Sequence, residues 1–219
     1  MDRTVNYGYR GGVARPRKFD EEAVVDTASD QFWTKGYAGT SMDAIAAATG
    51  LGKGSLYGAF GSKQQLFLRI FDAYCARTAD AVASALTGPD DDAYARLCAH
   101  IRAAAAGIAD DRIHRGCLLA KGAAELSEHD PDVVGQSRRT LERIAAMLAE
   151  DIRAAQRYGE IDQAADADQL ATLVLAVLRG IEALGKAGID ADRLESVAET
   201  AISLLPRAGK ASGTDSAGR

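Results

Sequence analysis

Lys53, Ser55 and Tyr57 fall on one short stretch, residues 40–63, that reads TSMDAIAAATGLGKGSLYGAFGSK. A cation, a hydroxyl and a phenol at this spacing suit the phosphate oxygens and base edges of DNA. Gly54, between them, permits close approach of its backbone to a phosphate. This is recognition chemistry rather than bond-making chemistry. The chain carries no Ser/His/Asp grouping, no phosphate-cradling glycine loop and no metal-ligand set. An enzyme is therefore not expected, nor is a cofactor or a metal. Plainer roles exist for the same residues. Tyr57 could pack, Gly54 and Ser55 could fit a tight helix start, and Lys53 and Lys63 could be solvated lysines.

The residues around this stretch have the punctuation of a helix-turn-helix. Thr40 and Asp43 read as a capping box opening a short helix, with Met42, Ile45 and Ala46 on its apolar face. Ala46 and Gly50 form an A-x-x-x-G pattern: a small residue at a close crossing, then a glycine for a left-handed turn. A second short helix follows over residues 53–60. It offers Lys53, Ser55 and Tyr57 outward and Leu56 and Phe60 inward. Ser62 with Gln65 caps the next helix.

Charge is distributed in a way that fits DNA. The chain has 219 residues and a net charge of −5. Residues 1–18 hold five basic residues against one acidic, a net of +4, while the remainder holds 21 basic and 30 acidic residues, a net of −9. A basic arm thus precedes an acidic body, so phosphate attraction can be local. No apolar run is long enough to span a bilayer, and no signal-peptide core opens the chain. A cytoplasmic protein is expected. Cys75, Cys98 and Cys117 are odd in number and far apart, which argues against a disulfide framework. They read as small buried residues, or less readily as redox groups. His100, His114 and His129 share no metal-ligand spacing.

The rest of the chain reads as helices. The first is expected over residues 20–35, capped by Asp20 and stopped by Gly36. A fourth runs over 62–86 and is broken by Gly88-Pro89-Asp90. A fifth covers 93–109, a polar loop 110–116, and a sixth 117–127. Asp130-Pro131 opens a seventh that ends at Tyr158-Gly159. Leu170, Leu173, Val174, Val177, Leu178, Ile181 and Leu184 repeat with a helical period, as do Leu194, Val197, Ala198, Ala201, Leu204 and Leu205. These last two apolar faces exceed what one internal seam needs, and Gly180 and Gly185 would let helices approach closely. The expectation is an all-α protein of about nine helices. A basic flexible arm occupies 1–18, a three-helix DNA-binding domain 19–68, a helical ligand-binding and dimerisation domain 69–205, and a disordered tail 206–219.

Residues 18–68 resemble the tetracycline-repressor (TetR) family of bacterial regulators. The likeness rests on Phe32, Gly36-Tyr37, Thr40-Ser41, Ile45-Ala46, Gly50, Leu56-Tyr57, Phe60, Ser62-Lys63 and Leu66-Phe67 at fixed spacing. Beyond residue 68 the resemblance is one of layout, with GCLLAKGAAELSEHDP (116–131) similar to a segment of one broad subset. One departure is Gly58-Ala59, where many members carry larger side chains. Fewer long side chains can then reach bases, which shifts discrimination toward Lys53, Ser55, Tyr57 and DNA shape.

The resemblance implies a homodimeric, ligand-responsive regulator, more often a repressor, on a pseudo-palindromic double-stranded operator. An activator, or a cysteine redox-responsive regulator on the same fold, is the alternative. DNA contacts are then expected from Lys53, Gly54, Ser55 and Tyr57, from Thr40 and Ser41, from Lys63, and from Arg15, Arg17 and Lys18 along the backbone or minor groove. An unknown small-molecule effector would sit among helices four to seven, near Phe71, Tyr74, Cys75, Leu97, Ile101, Cys117, Leu118 and Glu125. Glu125, if buried, needs a partner, which is a cationic ligand or an arginine such as Arg138. Helices eight and nine would pair with their symmetry mates through Leu170, Val174, Val177, Leu178, Ile181, Leu184, Leu194, Val197, Ala201 and Leu205. No membrane partner is implied.

Overall fold

Carboxylates and hydroxyls at the helix starts set the element boundaries. Asp20 accepts from the amides of Glu22 and Ala23, Asp130 from Asp132 and Val133, Asp166 from Asp168 and Gln169, and Asp190 from Arg193. Each satisfies amides that the first helical turn leaves without partners. Ser62 and Gln65 form the expected reciprocal capping box. The computed structural model describes residues 19–110, 116–126 and 130–209. Among them are nine α-helices and no strand: α1 Glu21–Lys35, α2 Met42–Thr49, α3 Lys53–Phe60, α4 Lys63–Ala85, α5 Ala93–Ala109, α6 Leu118–Leu126, α7 Pro131–Arg157, α8 Ala167–Lys186 and α9 Ala191–Ser203. The all-α expectation holds. Arg15, Arg17, Lys18, His114, His129 and residues 210–219 lie outside the described residues.

One cap differs from expectation. Ser41, not Thr40, caps α2, accepting from the amide of Ala44. Thr40 is 1% exposed, and its hydroxyl donates to the carbonyls of Gly36 and Gln31. It therefore closes the end of α1 instead of opening α2.

Two apolar cores divide the chain, and their division is not at residue 68. One core holds α1–α3, the first half of α4, α6 and the start of α7, through Phe32, Ile45, Leu56, Phe67, Phe71, Cys75, Leu118 and Val133. The other joins α5, α7, α8 and α9 through Leu97, Ile101, Leu148, Ile152, Leu178, Ile181 and Leu194. Helix α6 thus packs with the N-terminal helices. Gly122 makes this possible, since a Cβ there would stand 2.7 Å from Phe71 Cε2. A buried Arg96–Asp151 pair, 2.7 Å apart, ties α5 to α7.

Residues 206–209 do not form the start of a featureless tail. Asp162 donates its amide to the Pro206 carbonyl and Ala208 donates to Glu160. The Arg207 guanidinium sits 4.0 Å from the centre of the Tyr94 ring. The turn after α9 is therefore bound to the loop between α7 and α8.

Candidate nucleic-acid interface

Helix α3 is a short ridge held from beneath. Leu56 and Phe60 are buried, and Lys53, Gly54, Ser55, Tyr57 and Gly58 are exposed. Tyr57 is 51% exposed, so its ring is presented outward and the packing alternative is excluded. A Cβ at Gly54 or Gly58 would meet nothing within 4 Å, which leaves that backbone bare. The first amides of the helix have no intrahelical acceptor. Gly50 turns the chain into α3 with φ 69°, in the left-handed region, as its spacing predicted.

Neighbouring groups frame this ridge. Ser41 is exposed, and its oxygen accepts from Ala44, so its O–H points away from that bond and is available to a phosphate. Lys63 lies with its ammonium 4.1 Å from the centre of the Tyr37 ring, and burial holds its pKa below the ordinary value. Thr40 is corrected: a buried hydroxyl spent on two carbonyls has nothing to offer DNA. Asp43 was missed as part of the site. Its carboxylate stands 2.6 Å from Lys53 Nζ and holds the lysine above its usual value, with both side chains exposed. Only the fold brings these residues of α2 and α3 together.

A second candidate site lies beside the head. A cavity of about 490 Å³ is bounded by Trp33 of α1, Tyr74, Arg77 and Thr78 of α4, His100 of α5 and Arg179 of α8. A second, of about 350 Å³, includes Cys117, Lys121, Glu125, Arg179, Glu182 and Lys186. Between them Tyr74 donates its hydroxyl to Cys117 Sγ at 3.7 Å, and Arg179 Nη1 donates to the same sulfur at 3.5 Å. Arg179 Nη1 is 2.9 Å from Glu182 Oε2, an ion pair by distance whose angles make no hydrogen bond. Burial pushes the Glu182 carboxyl, the Cys117 thiol and the Tyr74 phenol up from their ordinary values.

The expected effector residues divide sharply. Tyr74 lines the first cavity, and Cys117 and Glu125 the second. Phe71, Cys75, Leu97, Ile101 and Leu118 are corrected to core residues, packed against other apolar side chains. Glu125 is exposed, and it does not pair with Arg138. It accepts from the Ala38 amide at 3.1 Å, while Arg138 pairs with Glu142. Trp33, Arg77, His100, Arg179 and Glu182 were not anticipated. Arg179 falls outside the apolar positions of α8, so no local pattern marked it.

Hydrogen bonds among the described residues join this region to the head. Trp33 Nε1 donates to the Gly116 carbonyl at 2.6 Å, and Lys121 Nζ donates to the Trp33 carbonyl at 2.5 Å. Glu125 accepts from Ala38, and Gln64 donates to Asp130 at 2.8 Å.

The expected dimer residues also divide. Val174, Leu178, Ile181, Leu194 and Leu205 are buried within the protomer. They are corrected to internal core. Leu170, Val177 and Ala201 are half-buried, and Leu184 and Val197 are exposed. Leu173, 56% exposed, and Leu204, 75% exposed, join them on the outer side. Gly185 serves an internal contact, where a Cβ would meet Ile108 Cγ2 at 2.4 Å, while Gly180 faces open space. No helix among the described residues is long and apolar enough to cross a membrane.

Comparison with known proteins follows the same two halves. A family described as "Bacterial regulatory proteins, tetR family" matches residues 24–70. A second, "Tetracyclin repressor-like, C-terminal domain", matches residues 93–201. The HTH-type transcriptional repressor ComR of Escherichia coli (strain K12) is 27% identical over 194 residues, covering 88% of this chain and 91% of its own. A cysteine mutant of the TetR family transcriptional regulator CifR, solved with 26-bp double-strand operator DNA, is 29% identical with a TM-score of 0.75, over 88% of this chain and all of that one. The regulatory protein TetR from Rhodobacter sphaeroides is 26% identical with a TM-score of 0.75, over 84% of this chain and 98% of its own.

Proposed function

Because the chain belongs to the TetR family of bacterial transcription regulators, and so to a DNA-binding rather than an enzymatic family, we propose that it acts as a homodimeric repressor released from a pseudo-palindromic operator by a small-molecule effector. The observation that carries this reading is the α3 ridge, with Lys53, Ser55 and Tyr57 displayed on a helix whose other face is locked by Leu56 and Phe60.

Helix α3 enters the major groove. Tyr57 sets its hydroxyl on a phosphate and its ring on a sugar or a thymine methyl, while Ser55 and Lys53 reach phosphate or a base edge. Lys53 exchanges its Asp43 partner for a DNA acceptor. Ser41 and Lys63 hold backbone phosphates at the ends of the ridge. Arg15, Arg17 and Lys18 follow the backbone or the adjacent minor groove. Such contacts position one head; two heads on a twofold axis are needed for tight specific binding.

The dimer forms through the outer stripe of α8, Leu173, Val177, Gly180 and Leu184, with Val197, Ala201 and Leu204 of α9. These recur at offsets that share a helix face, and they are exposed or half-buried in the protomer. A closed twofold pair buries that stripe on both copies.

The switch runs through Trp33. This α1 residue lines the larger cavity and is bonded to Gly116 and Lys121 at the start of α6. Helix α4 leads from the head to the same cavity. A ligand that fits only one arrangement of Trp33 and α4 shifts the spacing of the two heads and so the operator affinity. A gel-shift titration of the purified protein against fragments flanking its own coding region, at low ionic strength, tests the reading. Saturable retention of one fragment that competitor DNA does not abolish is expected. Equal, weak retention of all fragments would reject it.

A second reading, a thiol-responsive regulator, is favoured by one observation. All three cysteines are buried in the cores, but of them Cys117 lines a cavity and touches Tyr74 and Arg179. Operator release by a thiol oxidant in the wild type, lost in Cys117→Ser, would select it.

A further inference from the structure

The larger cavity has a distinct charge. Arg77 and Arg179 line it and no carboxylate does. Arg77 is exposed at the rim and has no ion-pair partner among the described residues. Arg179 is partly neutralised by Glu182, but that carboxylate belongs to the second cavity. The Arg179 Nε–H is buried without an acceptor. A guanidinium has donors only, so the two that line the cavity favour a ligand with acceptors. Its planar fork fits a carboxylate. His100 adds a polar group without adding charge, because burial and the Arg179 cation hold its imidazole below the ordinary value.

The remaining wall is apolar apart from Tyr74 and Thr78, whose hydroxyls bond Cys117 and the Tyr74 carbonyl. Val82, Ala104, Ile144 and Leu178 line it beside the Trp33 indole. A volume of about 490 Å³ falls in the range of small-molecule sites. A cationic ligand would meet two guanidinium groups with no countercharge in the wall. A wholly apolar one would bring the two guanidinium groups no acceptor. Resting on the reading of a ligand-released repressor, we propose that the effector is a small amphipathic monoanion. Its carboxylate lies against Arg179 and Arg77, and its apolar part lies along Val82, Ile144 and Leu178 beside Trp33.

Trp33 is the only tryptophan of the chain, so its emission reports on this cavity without a label. The full chain is titrated with octanoate and phenylacetate, each against its own primary amide, and with octylammonium. The acids should change Trp33 emission saturably and bind at least about tenfold more tightly than the amides. Arg179→Gln should remove that difference, and Arg77→Gln should reduce it. Arg77 is exposed, so its variant keeps the test open if Arg179→Gln does not fold. Amides that match the acids, tighter binding of octylammonium, or no response to either acid overturns the proposal. Operator gel shifts in the same solutions separate this claim from the one beneath it. Acid bound with the operator retained would reject ligand release and leave the anion site standing. Release by an amide but not its acid would keep ligand release and overturn the anion.

Discussion

Tyr57 and Thr40 show what a single position can and cannot declare. Both carry hydroxyls in the DNA-binding stretch, and both were assigned to DNA. Tyr57 is half exposed on α3, whereas Thr40 is sealed beneath the end of α1. Tyr57→Ala should therefore weaken operator binding by about 1–3 kcal/mol with little change in melting temperature. Thr40→Ala should do the reverse, lowering stability by about 1–2 kcal/mol through the buried bond lost to the Gly36 carbonyl, with Thr40→Ser restoring it. Thermal melts and gel shifts on the same preparations distinguish them. Asp43 adds a third case. Its carboxylate engages Lys53 in the free protein and adds negative charge beside the DNA face. Asp43→Asn should tighten binding to all duplexes alike, by no more than about 1 kcal/mol, the scale of an exposed pair. A change confined to one operator sequence would refute that view of Asp43.

At the scale of elements, helical periodicity located the helices but not the side each apolar residue takes. Every helix from α1 to α9 coincides with a predicted segment, because caps, glycine stops and the Asp130-Pro131 start are local signals. The broad apolar arc of α8 was read as one face. It is two: Val174, Leu178, Ile181 and Gly185 turn inward, Leu173, Gly180 and Leu184 turn outward, and Val177 is half-buried between them. The two glycines make the difference measurable. Gly185→Ala drives a methyl into Ile108 and should cost about 1–3 kcal/mol of stability. Gly180→Ala meets open space and should gain up to about 1 kcal/mol in helix propensity within the protomer. Denaturant unfolding of both variants in a monomeric background, where Gly180 meets no second copy, checks the contrast.

At the scale of the molecule, the proposed dimer rests on the outer stripe of α8 and α9. Leu173→Glu combined with Leu184→Glu places charge on exposed positions, so the protomer should fold while the dimer fails. Sedimentation at micromolar concentration should then give one protomer for the variant and two for the wild type. Operator affinity should fall by at least about two orders of magnitude, since one head makes too few contacts. A dimeric variant would move the interface elsewhere.

The sequence by itself determined the helix boundaries, the turn at Gly50 and the outward ridge of α3, because those follow from caps, φ preferences and period within a few residues. It also identified the family from the spacing of residues 18–68. Tertiary structure alone decided which polar groups face a cavity. Trp33, Arg77, His100 and Arg179 come from four helices, up to 146 positions apart, and no local pattern relates them. It alone placed Glu125 on the Ala38 amide and sealed Thr40, since a side chain's burial depends on elements that close over it from elsewhere in the chain.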